Sequence, residues 1–427
     1  MMEHMYIILI GLLFLLLFVG LPVAYCVLAS SVCVLALMGQ PLLSAVQRLN
    51  TGVDTYVFIA IPLFTFAGYL MDTGGISKRL VSWCEHVFFW IPGSLGAITA
   101  VTCMFFAALT GSGPATVAAI GGIMLPELLK RGYTEGESSS LIVAAGCLGP
   151  IIPPSIIIVI YGATMNVSIS QMLMGAVVPG IMLGVGYIVI NAVRVSRNKN
   201  IQRTQKRNLK EILVSTYHSI PVLILPVVIL GGIYSGIFTP TEAACAGVVT
   251  ALIVMAIYGE FSVKRVLQAA KKTAYATGAI IFIVGAANLF SYTLAITNAT
   301  KAIAALLTPI LVNKALFWIF LNIILLIVGA LMEAGPAIVI FAPLLAPIGV
   351  NLGIDPVQLG CVFSINLAIG LMTPPIGSNI FTAVSTLDLE FTTIVGKIWP
   401  YIAVSVIALF LFSFVEPLVM FLPRLMA

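Results

Sequence analysis

Apolar residues run along this chain in blocks of about twenty, and the polar positions fall between the blocks instead of alternating within them. Helices that are apolar on every face at that length belong in lipid, not in water. The pattern predicts one long span bent at Pro22 over 6–39, then spans over 53–71, 137–163, 168–193, 219–236, 241–258, 274–296, 356–384 and 394–422. Two further segments, 96–129 and 315–350, are too long for one crossing and carry polar, Gly/Pro-rich centres, "LTGSGPA" and "LMEAGPA". They read as re-entrant hairpins, whose backbone is tolerated at depth only where protein or a cavity surrounds it. Three amphipathic stretches, 42–50, 76–90 and 261–272, read as arms lying along the interface, where Lys, Arg and Trp suit the headgroups. The fold class is therefore an all-α polytopic membrane protein.

Composition strengthens this picture. Of 427 residues, 61% are hydrophobic and 8% charged, too apolar for a soluble chain of this size. The net charge of +5 says little until the cations are placed. The loop 194–210, "RVSRNKNIQRTQKRNLK", is strongly basic, so it belongs in the cytoplasm. Counting outward from it, 129–137, "ISKRL" and "VKRVLQAAKK" fall on the same side, and all are basic. The opposing loops, "GIFTPTE" and "VNLGIDPVQ", hold no Lys or Arg. The expected layout is nine crossings and two hairpins, with the N-terminus inside and the C-terminus outside. The start, "MMEHMYIILIG", lacks a basic region, and its apolar run continues to about Gly39, so it reads as a retained span.

Several chemistries are excluded. The seven cysteines form no CxxC pair and the three histidines are scattered, so no disulfide or transition-metal framework is expected. No phosphate-binding loop or dinucleotide fingerprint is present, so no ATP engine and no nucleic-acid partner are expected. An intramembrane enzyme built on Glu333 or an Asp would need a paired carboxylate or a nucleophile with its base, and neither is visible.

The chain repeats itself. "TGSGPATVAAIGGIMLP" (110–126) aligns with "MEAGPAIVIFAPLLAP" (332–347), and "LGPIIPPSIIIV" aligns with "IGLMTPPIGSNI". Gly149 meets Gly370, and Pro153 and Pro154 meet Pro374 and Pro375. Two motifs at matched spacing mark a duplication. The charge map opens the first hairpin to the basic side and the second to the uncharged side, so the halves are inverted. Inverted repeats with broken helices characterise secondary transporters, with the site near the midplane.

A proline pair cannot continue a helix, because it lacks amides and clashes with the preceding turn. It leaves carbonyls unpaired at a depth where each costs a few kcal/mol. Converging carbonyls make a cage for a small hard cation such as Na⁺, while the helix that restarts beyond the break presents free amides to an anion. One expected cation site combines Ser112 at the first tip with Gly149, Ile152 and Pro154; the other combines the Glu333–Gly335 tip with Gly370 and Thr373. A plainer reading is that the proline pairs only kink packed helices. Glu333 could ligate a cation, relay a proton or cap the helix after the tip. Asp54, Asp72 and Glu242 read as interfacial or capping residues, and Asn166, Asn288, Asn322 and Asn366 as hydrogen-bond partners between helices. No span centre holds Lys or Arg, so an anionic solute would meet Thr110, Ser112, Thr116, Ser155, Ser378 and Asn379.

With "FAGYLMDTGGISKRL", "LTGSGPATVAAIGGIMLPELLKRGY", "GPIIPPSIIIVIYG" and "FSINLAIGLMTPPIGSNIF", the chain resembles the large membrane subunit of tripartite ATP-independent periplasmic (TRAP) transporters over nearly its whole length. The resemblance implies a Na⁺-driven elevator transporter of the divalent-anion type in the bacterial inner membrane. It implies a separate small partner of about four spans and a periplasmic binding protein. The binding protein would deliver an organic acid, sialic acid first and otherwise a C4-dicarboxylate. A self-sufficient symporter of the same architecture is the alternative. The family's first Na⁺ site falls on Ser112, Gly149, Ile152 and Pro154, and its second on Gly370, Thr373 and Gly335. The second tip departs from the first, because Ala334 stands where Ser112 supplies an oxygen. The resemblance also implies a scaffold of 1–92 and 211–297, a basic cytoplasmic loop of 194–210, and a moving domain of 93–193 and 298–427.

Overall fold

A computed structural model describes residues 5–91, 94–198, 201, 208–307 and 313–425, and among them every regular element is a helix. Among the described residues, eight stretches are long and apolar enough to cross a membrane.

The opening of the chain departs from the expected bent span. α1 (Met5–Phe18) and α2 (Val23–Leu37) are separate helices packed against each other. Gly20 takes φ +89°, and the amides of Gly20 and Leu21 close back onto the carbonyls of Leu17 and Leu16. A left-handed glycine ends a helix in this way, and Pro22 sits just ahead of the next one. The chain therefore turns back where a kink was expected.

α3 (Leu42–Val53) and α5 (Ile76–Val87) are amphipathic helices at the places expected for the first two arms. The third arm is not a separate element. Residues 263–272 form the first turns of α14 (Val263–Ile296), a continuous 34-residue helix. No proline interrupts that stretch, so nothing stops the helix at the interface. α4 (Ala60–Thr73) follows a 3₁₀ turn at Tyr56–Ile59 and packs on α13 (Pro240–Ile257) and α14. α12 (Leu209–Tyr234) begins ten residues before the expected span and packs on α5 and α13. Trp83 on α5 donates to Thr216 on α12 at 3.2 Å. Arg79 of α5 reaches Glu260 at 3.8 Å. A hydrogen bond from Arg265 holds the Glu260 carboxyl below the usual carboxylate range.

The repeat is visible in the packing. In the first half, α6 (Ser94–Thr110) and α7 (Gly113–Lys130) form a hairpin, and α8 (Glu135–Gly146) and α9 (Ile156–Met165) form an interrupted helix. α10 (Ile169–Gly175) and α11 (Val177–Arg197) follow. In the second half, α15 (Ala299–Leu307) leads into a hairpin of α16 (Lys314–Leu331) and α17 (Ala334–Asn351). An interrupted helix of α18 (Pro356–Gly370) and α19 (Ser378–Leu387) comes next. The final expected span is two helices, α20 (Phe391–Phe414) and α21 (Pro417–Leu425); Pro417 restarts the chain, and α21 packs on α10.

Each hairpin lies against the interrupted helix of its own half, and its outgoing arm crosses to the other half. α7 packs on α19, and α17 packs on α9. α18 is buried from Val357 to Gly370. Its Asn366 donates to the Asn322 backbone and side-chain oxygens at 3.1 Å each, and Asn322 donates to Ser413 at 2.9 Å. These two asparagines are the interhelical partners expected of them. Asn288 instead packs on Gly52, and Asn166 closes α9 with φ +54°. Glu242 closes a capping box with Thr239, and Asp72 lies 3.6 Å from Lys272.

Candidate functional site

The first tip, Gly111 to Gly113, is pressed into the first break. A Cβ on Gly149 would stand 2.5 Å from the Ser112 carbonyl oxygen, and one on Gly111 would stand 2.5 Å from the Pro154 carbonyl oxygen. Only bare backbone fits at this approach, and Gly111 is also left-handed at φ +61°. Ser112 caps α7, its hydroxyl accepting from the Ala115 amide. α8 ends at Gly146, seven residues ahead of Pro153. Its last turn tightens, with the amides of Cys147, Leu148 and Gly149 each bonding three residues back. Among the described residues, the carbonyls of Gly149, Ile152 and Pro154 accept no hydrogen bond. The Ile152 side chain points away, toward Gly180 of α11.

The hydroxyls of this half are largely committed. Ser155 is fully buried, donates to the Pro150 carbonyl and caps α9 through the Ile158 amide. Thr116 donates to the Ser112 carbonyl at 2.8 Å and lies 3.2 Å from the Thr110 hydroxyl. Thr110 in turn donates to Phe106 at 3.3 Å.

The second break is seated differently from its repeat partner. A Cβ on Gly370 would stand 2.5 Å from Gly329, on the incoming arm of the hairpin and not at its tip. The amides of Ile376 and Gly377 both donate to the Ala330 carbonyl at 3.2 Å. The sequence alignment missed Gly329 and Ala330; the signal available was the glycine in "IVGALME". Gly377, at φ +54°, lies beside the carbonyls of Leu371 and Thr373, which a Cβ there would meet at 2.9 and 3.0 Å. The Gly370 carbonyl accepts from the Thr373 amide and the Leu371 carbonyl from the Asn379 amide, whereas the Thr373 carbonyl has no donor among the described residues. The Thr373 hydroxyl donates to Ile369 at 2.9 Å. Gly335 stands apart from this contact, and its nearest neighbour in the Cβ direction is Ile160 at 3.5 Å.

Between the two tips and α14 lies a cavity of about 390 Å³, lined by Ser112, Pro150, Glu333, Gly335 and Ser378 among apolar neighbours. A second cavity of about 810 Å³ shares Pro114, Ala279, Ile283, Glu333, Pro336 and Ser378 with it. A third, of about 570 Å³, extends from Ser112 and Thr110 past Gly68 to Lys272. Four predicted residues, Ser112, Glu333, Gly335 and Ser378, therefore converge on one space. The Ser378 hydroxyl is buried and has no hydrogen-bond partner among the described residues. Glu333 does not cap α17: its backbone occupies the capping position, but its side chain makes no cap hydrogen bond and is exposed. Asn379 is fully buried outside this space, between Gly113 and Gly146. Among the described residues, no three His, Cys, Asp or Glu residues cluster as metal ligands. Any cation held at the breaks would therefore rest on carbonyl and hydroxyl oxygens, which suits a hard ion.

A family model described as "Tripartite ATP-independent periplasmic transporter, DctM component" matches residues 10–418. The chain is 35% identical over 416 residues to the isethionate TRAP transporter permease protein DctMQ of Oleidesulfovibrio alaskensis. That match covers 97% of this chain and 66% of the relative, so this chain spans just under two thirds of the relative's length. It is 34% identical over 372 residues to the C4-dicarboxylate TRAP transporter large permease protein DctM of Pseudomonas aeruginosa, covering 87% of each. The crystal structure of the Alcanivorax borkumensis YdaH transporter, described as having an unusual topology, aligns with a TM-score of 0.62 at 14% identity, over 87% of this chain and 86% of that one. At that identity the likeness is one of fold.

Proposed function

Because this chain belongs to the large-permease (DctM) family of TRAP transporters, we propose that it carries an organic acid across the bacterial inner membrane, coupled to Na⁺. It is a permease subunit, not an enzyme. The observation that carries the Na⁺ reading is the contact between the first tip and the first break. Gly149 lies on the Ser112 backbone while the carbonyls of Gly149, Ile152 and Pro154 are left without donors. Unsatisfied carbonyls at membrane depth cost a few kcal/mol each, and a bound cation removes that cost. These residues would hold the first ion. The Thr373 hydroxyl and carbonyl, with Leu371 and Gly370, would hold the second. Gly335 is separated from them and lines the solute cavity instead.

The solute would lie between Ser112 and Ser378, delivered by a periplasmic binding protein and with a small four-span subunit beside the permease. Sialic acid and C4-dicarboxylates are the two candidate acids. Residues 1–92 and 211–297 would stay fixed while 93–193 and 298–427 carry the site across. The basic loop at 194–210 faces the cytoplasm and the C-terminus the periplasm. With α1 and α2 both crossing, the reversal at Gly20 would put the start of α1 on the periplasmic side, whereas one bent span would put it in the cytoplasm.

The test is uptake into proteoliposomes holding both membrane subunits, with the binding protein outside. Uptake should need an inward Na⁺ gradient and the binding protein. Uptake without Na⁺ sinks the coupling, and uptake without the binding protein favours a self-sufficient symporter.

A further inference from the structure

α11 and α20 meet along a seam that ends in a basic cavity. Within the seam the Tyr187 hydroxyl lies 2.8 Å from that of Ser405, and a Cβ on Gly186 would stand 2.8 Å from Val404. At its end a cavity of about 330 Å³ is lined by Arg194, Arg197 and Lys397, with Glu137 as the one carboxylate among its described lining residues. Arg194 belongs to the framework. Its guanidinium donates to the Ser140 hydroxyl at 3.2 Å, to the Tyr401 hydroxyl at 3.4 Å and to the Lys397 carbonyl, which ties α8, α11 and α20 together. Glu137 is engaged as well: it accepts from the Thr134 amide at 3.0 Å and closes the capping box of α8. Arg197 and Lys397 are exposed, and their side chains make no hydrogen bond or ion pair among the described residues. The C-terminal dipole of α11 accounts for Arg194 and Arg197 but not for Lys397, which stands on the second turn of α20.

Two exposed apolar ridges lead into this cavity. On α11, Ile181, Val185, Val189 and Val193 are all exposed, and the next step of four is Arg197. On α20, Leu411 and Ile407 are exposed, and the same face runs back through Ala403 to Pro400, which lines the cavity. Trp399 is exposed beside them, an aromatic of the kind that sits at headgroup level. Apolar ridges along two spans that end in unpaired cations are the complement of an acidic lipid: its chains suit the ridges, and its phosphate suits Arg197 and Lys397. We propose that this cavity binds the headgroup of an anionic phospholipid such as phosphatidylglycerol. A zwitterionic phospholipid brings its own cation to a cavity already in excess of positive charge, and so gains less. With the 194–210 loop in the cytoplasm, the lipid comes from the inner leaflet.

The test is native mass spectrometry of the purified permease complex, equilibrated with equal amounts of phosphatidylglycerol and phosphatidylcholine of one chain length. The complex should retain phosphatidylglycerol over phosphatidylcholine by at least about threefold. Arg197→Ala with Lys397→Ala should bring that ratio close to one, whereas Arg197→Lys with Lys397→Arg should keep it. Lys264→Ala with Lys271→Ala removes the same charge from exposed positions on α14 and should also keep it. Equal retention of the two lipids, or the same loss in both alanine pairs, would overturn the proposal. Displacement of the lipid by glycerol 3-phosphate would overturn it too, and would give the cavity to soluble phosphate esters. Chemical crosslinking of Lys397 to another membrane subunit in the same complex would show this face covered by protein, again against a lipid.

Discussion

Asn379, from the second half, fills the space above Gly113, from the tip of the first hairpin: a Cβ on Gly113 would stand 2.6 Å from the asparagine side-chain oxygen. A Cβ on Gly146 would stand 3.1 Å from its nitrogen. The amide donates to the Val143 carbonyl at 3.3 Å. Two glycines of one repeat thus form the slot for a side chain of the other, and the two halves are tied beside the first break.

That slot predicts a coupling. Gly113→Ala should displace Asn379 and lower uptake, the overpacking costing about 1–3 kcal/mol. Asn379→Ala should cost about 1 kcal/mol of stability through its lost hydrogen bonds. The double variant should be less impaired than the sum, because the added methyl then has room. Thermal unfolding and uptake of all four proteins check this; strict additivity would refute the shared slot.

Glycines of the same repeat should differ sharply in tolerance. Gly149→Ala pushes a methyl onto the Ser112 backbone, which cannot rotate away, and uptake should fall by more than about tenfold, equivalent to ~1.4 kcal/mol. Gly122→Ala, on α7, meets nothing within 4 Å and should transport normally with slightly raised stability. Equal effects at the two positions would show that the close approach is unimportant.

Thr373 offers a hydroxyl at the second break. Thr373→Val keeps its shape but removes the oxygen, and should raise the Na⁺ concentration for half-maximal uptake by about tenfold, ~1.4 kcal/mol. Thr373→Ser should stay near the parent. Na⁺ titrations of uptake decide it, and an unshifted curve for the valine variant removes Thr373 from the ion site.

The proposed movement can be arrested. Gly68 on α4 faces Thr110 on α6, with 3.2 Å from a Cβ on Gly68 to the Thr110 α-carbon. Cysteines at both positions fall within the spacing of a disulfide. Oxidation should stop uptake, and reduction should restore it. Full activity in the crosslinked protein would mean that these two parts do not separate during transport.

Much of the machinery was legible as sequence, for a physical reason. Apolar length and glycine–proline interruptions act locally, so the two hairpins and two breaks fall where "GPA" and the proline pairs put them. Contacts between elements are not local, and there the alignment misled. It paired Gly335 with Gly370, but the close backbone approach is made by Gly329, six residues earlier. The Pro22 bend was misread for a related reason: a proline can kink a helix or follow its end, and Gly20 in a left-handed conformation decides between the two. Ser155 looked like a solute ligand because it begins a helix, yet its hydroxyl is consumed by Pro150 and Ile158.

α14 has 34 residues, about 50 Å at 1.5 Å per residue, and so outruns the roughly 30 Å of oily interior it stands in. Where it borders the two cavities between the tips it presents Ala276 and Ala279 together with Ile280, Phe282, Ile283 and Val284. A load riding past that stretch would find one unbroken apolar rail, with no charged side chain on it to hold an ion-bearing cargo partway.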